Sequence, residues 1–85
     1  MREEPRVKAQ VFVTLKDGIL DPQGKAIEGA LKSLGIEGIG SVRQGKLFEM
    51  ELVTEDRTRA SSVLESACKK LLANQVIENF RVELL

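Results

Sequence analysis

Hydrophobic and polar residues alternate from the start of the chain. In "RVKAQVFVTLK", residues 6–16, Val7, Ala9, Val11, Val13 and Leu15 fall on one side, and Lys8, Gln10, Thr14 and Lys16 on the other. A period of two predicts a half-buried β-strand, with Phe12 on its polar side. The period then changes. In residues 22–34, "PQGKAIEGALKSL", Ile27, Ala30, Leu31 and Leu34 form the single stripe of an amphipathic helix. Asp21 is placed to cap it, Pro22 to occupy its first position and Gly35 to end it. Residues 38–53, "GIGSVRQGKLFEMELV", read as extended, with Phe48, Met50 and Leu52 alternating with Glu49 and Glu51. Gln44-Gly45 suits a tight hairpin turn. A single long, bent strand fits the same residues, and the pattern leaves both open. Residues 55–73 give the clearest helix, with Ala60, Val63, Leu64, Ala67, Leu71 and Leu72 as its stripe and Thr54 or Asp56 as its cap. Residues 76–85 return to strand, Phe80, Val82 and Leu84 alternating with Arg81 and Glu83.

This order predicts one α+β domain over residues 1–85. The expected architecture is a two-layer sandwich in β-α-β-β-α-β order, with both helices on one face of a mainly antiparallel sheet, as in ferredoxin-like folds. The other sheet face is then left open. Phe12 is expected on it, with some of Leu47, Val53, Ile77 and Leu85. An apolar open face on a small domain points to a partner, and Phe12 is the candidate oligomer-interface residue. The length supports this: 85 residues enclose only a thin core.

Composition mainly removes possibilities. Thirteen basic and thirteen acidic side chains cancel, and no basic stripe suggests nucleic acid. The charged beginning, "MREEPRVK", does not resemble a secretory signal, and no apolar run is long enough to span a bilayer; a cytoplasmic location is the expectation. The sequence has no histidine, tyrosine or tryptophan and only one cysteine. The usual general base is therefore missing, and Cys/His metal sites cannot be assembled. No catalytic, cofactor-binding or metal-binding residue is predicted. Cys68, on the apolar stripe, reads as a buried inert thiol.

The glycines are harder to place. Gly24 falls in the first turn of the first helix and Gly29 in its middle, where each costs about 1 kcal/mol relative to alanine. Close approach of another backbone would explain such a cost. The expectation is that Gly24 gives clearance to a partner, while Asp21 and Pro22 set the angle of chain entry. An anion at this helix start is disfavoured, because the Asp21 carboxylate competes for the free N–H groups. "VRQGK" at 42–46 reads as a solvated tip that could also dock.

Two runs carry a resemblance. "LKDGILDPQGKAI" at 15–27 and "VRQGK" at 42–46 closely resemble the PurS family, the small subunits of phosphoribosylformylglycinamidine synthase. The shared positions are Leu15, Lys16, Gly18, Leu20, Asp21, Pro22, Gly24, Ala26 and Ile27, then Val42, Arg43, Gly45 and Lys46. The resemblance implies a non-catalytic accessory subunit in purine biosynthesis. It would bridge a synthetase subunit and a glutaminase subunit, assist ammonia transfer between them, and form homodimers or homotetramers. It would bind no cofactor itself, with ATP and Mg expected on the synthetase subunit. Lys16, Gly18, Asp21, Gln23, Gly24, Arg43 and Lys46 are the candidate partner contacts. An ACT-like small-molecule sensor is the alternative, since "LKDGIL" places a glycine after the first strand. An RNA-binding domain ranks last, for want of aromatic residues to stack bases.

Overall fold

The computed structural model describes residues 4–85. Its elements run β1 (Val7–Leu15), α1 (Pro22–Ser33), β2 (Gly45–Leu52), α2 (Arg57–Ala67), a π-helical turn (Cys68–Leu72) and β3 (Glu78–Leu84). The three strands form one antiparallel sheet in the order β2-β1-β3. The predicted alternation of β1 sets its register. Val11 lies between Phe48 and Val82, and Ala9 between Met50 and Leu84, all on the inner face.

The core lies where α2 crosses that face. Ala9, Val11 and Val13 pack with Leu64, Cys68 and Ala73, and Phe48, Met50, Phe80 and Val82 flank them half-buried. Asp56 caps α2 through the N–H of Arg59, and Thr54 accepts from the N–H of Asp56. The π-turn changes the predicted stripe. The N–H of Ala73 bonds to the carbonyl of Cys68, five residues back. One wide turn shifts the helical phase by about a residue. Leu64, Cys68 and Ala73 thereby stay in line, while Leu71, expected in the core, is 82 % exposed.

The first helix departs further from expectation. Its start is as predicted, with Asp21 as cap, Pro22 at the first position and Gly35 at φ +78 just past the end. Its stripe, however, contributes nothing to the core. Gly24 is its only buried residue, and Leu34 is 75 % exposed. Residues 38–44 form no strand, so neither the hairpin nor the long strand exists within one chain. The sheet consequently has three strands rather than four. The chain is elongated, 54 × 32 × 16 Å, with a radius of gyration of 17.1 Å, against ~12 Å for a compact domain of this length.

The outer sheet face is mixed rather than broadly apolar. Phe12 sits between Leu47 and Arg81, and the Arg81 guanidinium lies 4.1 Å from the centre of its ring. Around that pair are Lys8, Gln10, Glu49, Glu51 and Glu83, with Arg6 bridging to Glu51 at 3.1 Å. Val53 and Leu85 are exposed at the rims. Among the described residues no helix is long and apolar enough to cross a membrane.

Candidate functional site

The two runs singled out in the sequence meet at the end of the sheet where α1 begins. Asp21 is the hinge of that meeting. As the cap of α1 it accepts the Gly24 N–H on Oδ1 at 2.9 Å, which satisfies a donor that every helix start leaves free. Its Oδ2 accepts the Gln44 N–H at 2.6 Å. One carboxylate thus ties the helix start to the return of the chain. These N–H groups, Gln44 first and then Gly24, hold the Asp21 carboxyl below its ordinary range. Burial opposes them, with the smaller effect.

About two turns further along α1, Glu28 repeats the arrangement. Its Oε2 accepts the Val42 N–H at 2.9 Å, and Lys25 Nζ lies 3.5 Å from Oε1. The Val42 N–H is the main cause of its lowered pKa, with Lys25 assisting. Between these carboxylates the loop lies directly on the helix. A Cβ on Gly24 would stand 2.2 Å from the carbonyl oxygen of Val42. The backbone approach expected at Gly24 is therefore real, but it is made by the chain's own loop. Gly24 and Asp21 are buried within the single chain, which corrects the expectation that Gly24 gives clearance to a partner.

Arg43 clamps the other side. Its Nη2 lies 3.2, 3.1 and 3.4 Å from the carbonyl oxygens of Leu15, Lys16 and Ile19, closing the turn that carries Gly18 at φ +85. Lys16 is half-buried, and its N–H bonds to the Ile77 carbonyl at 2.8 Å. Gln23 and Lys46 remain exposed, with Lys46 Nζ 3.9 Å from Glu78. Phe12 lies elsewhere, on the outer sheet face.

The structure thus brings together Lys16, Gly18, Asp21, Gln23, Gly24, Arg43 and Lys46. It also adds Glu28, which is not among the candidate partner contacts. The signal was present in the spacing. Positions 21, 24 and 28 share one helix face, and each now holds the same loop. Chemically the site offers charge-assisted hydrogen bonds and little else. Its carboxylates are committed to backbone donors, no metal-ligand cluster occurs among the described residues, and burial raises the pKa of the Cys68 thiol. The arrangement builds a polar corner in which helix start, turn and loop are tied together by hydrogen bonds.

Comparison with known proteins decides the family. The model of the PurS family, described as phosphoribosylformylglycinamidine (FGAM) synthase, matches residues 8–85. The chain belongs to the PurS family. A PurS relative from Mycobacterium leprae is 51 % identical over 75 residues, covering 88 % of this chain and 91 % of the relative. One from Bacillus subtilis is 42 % identical over 76 residues, 89 % of each. Both carry the name phosphoribosylformylglycinamidine synthase subunit PurS. Among solved structures, Methanocaldococcus jannaschii PurS superposes with a TM-score of 0.84 at 34 % identity, covering 93 % of this chain and 95 % of that one. A chain in the structure of PurLQS from Thermotoga maritima gives a TM-score of 0.88 at 30 % identity, over 95 % of this chain and 99 % of that one. The open, three-stranded PurS shape seen here therefore belongs to an α+β fold shared with solved relatives.

Proposed function

We propose that this chain is a non-catalytic small subunit of a phosphoribosylformylglycinamidine synthase in purine biosynthesis. In this reading it bridges a synthetase subunit, which uses ATP and Mg, and a glutaminase subunit, and assists the passage of ammonia between them in the cytoplasm. One observation carries the reading: a chain within the PurLQS structure matches this one along nearly its whole length. The chemistry of the site agrees with it. Ammonia released into bulk water is protonated and lost, so a closed route between two active sites serves the reaction. Closing a route requires fitted surfaces and no reactive side chain.

Gly18, Gln23 and Lys46 form the exposed docking edge in this reading, with Lys16 at its margin. Asp21, Gly24 and Arg43 act from behind by fixing the shape of that edge. The subunit works as a homodimer or homotetramer. The test is assembly: mix the chain with cognate synthetase and glutaminase subunits, in the presence of glutamine and nucleotide, and separate by size. Co-elution of all three is expected. Elution of this chain apart from both companions would contradict the proposal.

A further inference from the structure

Charge is distributed unevenly at the corner around Asp21. The ion pairs there have their bases outside and their acids inside. The Lys25 and Lys46 side chains are 63 % and 64 % exposed, whereas those of their partners Glu28 and Glu78 are 15 % and 14 % exposed. Elsewhere among the described residues the pairs are even. In Arg6–Glu51, Glu65–Lys69 and Arg81–Glu83, acid and base are about equally exposed.

The cause is the backbone. Each inward carboxylate is turned toward main-chain donors. Glu28 accepts the Val42 N–H, Glu78 accepts the Asn74 N–H at 2.7 Å, and Asp21 accepts those of Gly24 and Gln44. Charge-assisted bonds of this kind hold the acids in place. The lysine ends are left outermost. Arg43 adds to them, since Nη2 is held by three carbonyls while Nη1 and Nε have no partner among the described residues. The nominally neutral chain therefore presents a cationic face at this one corner.

That face has relief. Two hollows flank Asp21, which forms a wall of both. The first, about 180 Å³, has Lys25, Arg43 and Ser41 in its lining. The second, about 360 Å³, lies between Pro22, Gln44, Lys46 and Glu78. The exposed acid nearest in sequence, Asp17, lines neither. Sites for small organic ligands usually enclose ~300–1,000 Å³ behind mainly apolar walls. A small polar hollow and a second one beside it suit side chains from one protein surface better than a single small molecule.

We propose that this corner receives an acidic surface of one of the two larger synthase subunits. One carboxylate of that surface meets Lys25 and Arg43 at the first hollow, and another meets Lys46 at the second. Opposite charge at an exposed corner steers the encounter and fixes its orientation. The inference rests on the reading that the chain assembles with those subunits, and it names the chemistry of the contact.

The test uses the full chain with both cognate subunits, glutamine and nucleotide. Affinity should fall at least ~5-fold between about 50 mM and about 300 mM salt, because screening shortens the reach of exposed charges. Lys25→Gln with Lys46→Gln should weaken binding by roughly 5- to 30-fold at low salt, mainly through slower association. Lys25→Arg with Lys46→Arg keeps the charges and should stay within about 3-fold of the parent. Lys69→Gln with Lys70→Gln removes the same charge on the far end of α2 and should change nothing. All four positions are exposed, so circular dichroism should persist in every variant. A carbodiimide, which joins amines to carboxylates in contact, should link Lys25 or Lys46 to an Asp or Glu of one larger subunit. Binding that ignores salt and the Lys25 and Lys46 substitutions, or that the α2 control weakens equally, overturns the inference. So does ATP binding to the isolated chain that the Lys25 and Lys46 substitutions abolish. A parent chain that binds neither subunit contradicts the functional assignment instead.

Discussion

Gly24 leaves room for Val42: a Cβ on the glycine would stand 2.2 Å from the valine carbonyl oxygen, far inside contact distance. Backbone cannot retreat from such a clash as a flexible side chain can. Gly24→Ala should therefore destabilise the fold by about 1–3 kcal/mol, despite alanine's better helix propensity. Gly29 is the control, because a Cβ there meets nothing within 4 Å. Gly29→Ala should be neutral or stabilise by up to about 1 kcal/mol. Urea unfolding of the two variants checks both signs. Equal effects would mean that Val42 does not press on the helix.

The two loop-holding carboxylates predict an acid limb. Both folded pKa values lie below the ordinary 3.8 of Asp21 and 4.5 of Glu28, so the unfolded chain binds protons first. Their stabilisation is complete above the ordinary values and disappears as pH falls through the folded ones. The unfolding midpoint should stay level from neutral pH to about pH 5, then fall. Asp21→Asn keeps a capping oxygen but loses the charge. It should lower the midpoint at pH 7 and flatten the acid limb. An unchanged limb would show that Asp21 is not held by Gln44 and Gly24.

Arg43 holds three carbonyls with one guanidinium nitrogen. Lysine keeps the charge but loses the planar fork. Arg43→Lys should speed amide exchange in the turn around Gly18 and at residues 41–44. Its cost in global stability should stay under about 1 kcal/mol, because the contacts are exposed. Exchange mass spectrometry distinguishes this local loosening from general unfolding.

On the outer face, Arg81 covers Phe12. An exposed cation–π contact contributes about 0.5–1 kcal/mol. A double-mutant cycle with Phe12→Leu and Arg81→Gln should return a coupling of that size. Zero coupling would leave Phe12 free to meet another chain, in keeping with its candidacy as an interface residue.

Much of the fold was legible in the sequence because it rests on local pattern. The alternation of Val7 to Leu15 gave β1, and Asp21-Pro22 gave the start of α1 to the residue. What could not be read was whether an amphipathic stripe is filled by its own chain. Ile27, Leu31 and Leu34 have the spacing of a core face, and period alone does not say whose core. Leu71 was misplaced because helical spacing assumes an even turn, and the π-turn adds a residue. At the site, two sequence-distant runs were both identified, but the bond between them was not. That bond runs from side chain to backbone, and backbone donors leave no mark in the residue pattern. Glu28 was within reach through its spacing from Asp21 and Gly24.

The central claim is that this chain contributes surfaces, and no chemistry of its own, to a glutamine-driven synthase. The most direct test is formation of formylglycinamidine ribonucleotide by fixed amounts of synthetase and glutaminase subunits, titrated with this chain, with glutamine as nitrogen donor. The account predicts almost no product without it, a rise that saturates at a fixed molar ratio, and no turnover by the chain alone. Full glutamine-dependent synthesis in its absence would contradict the claim.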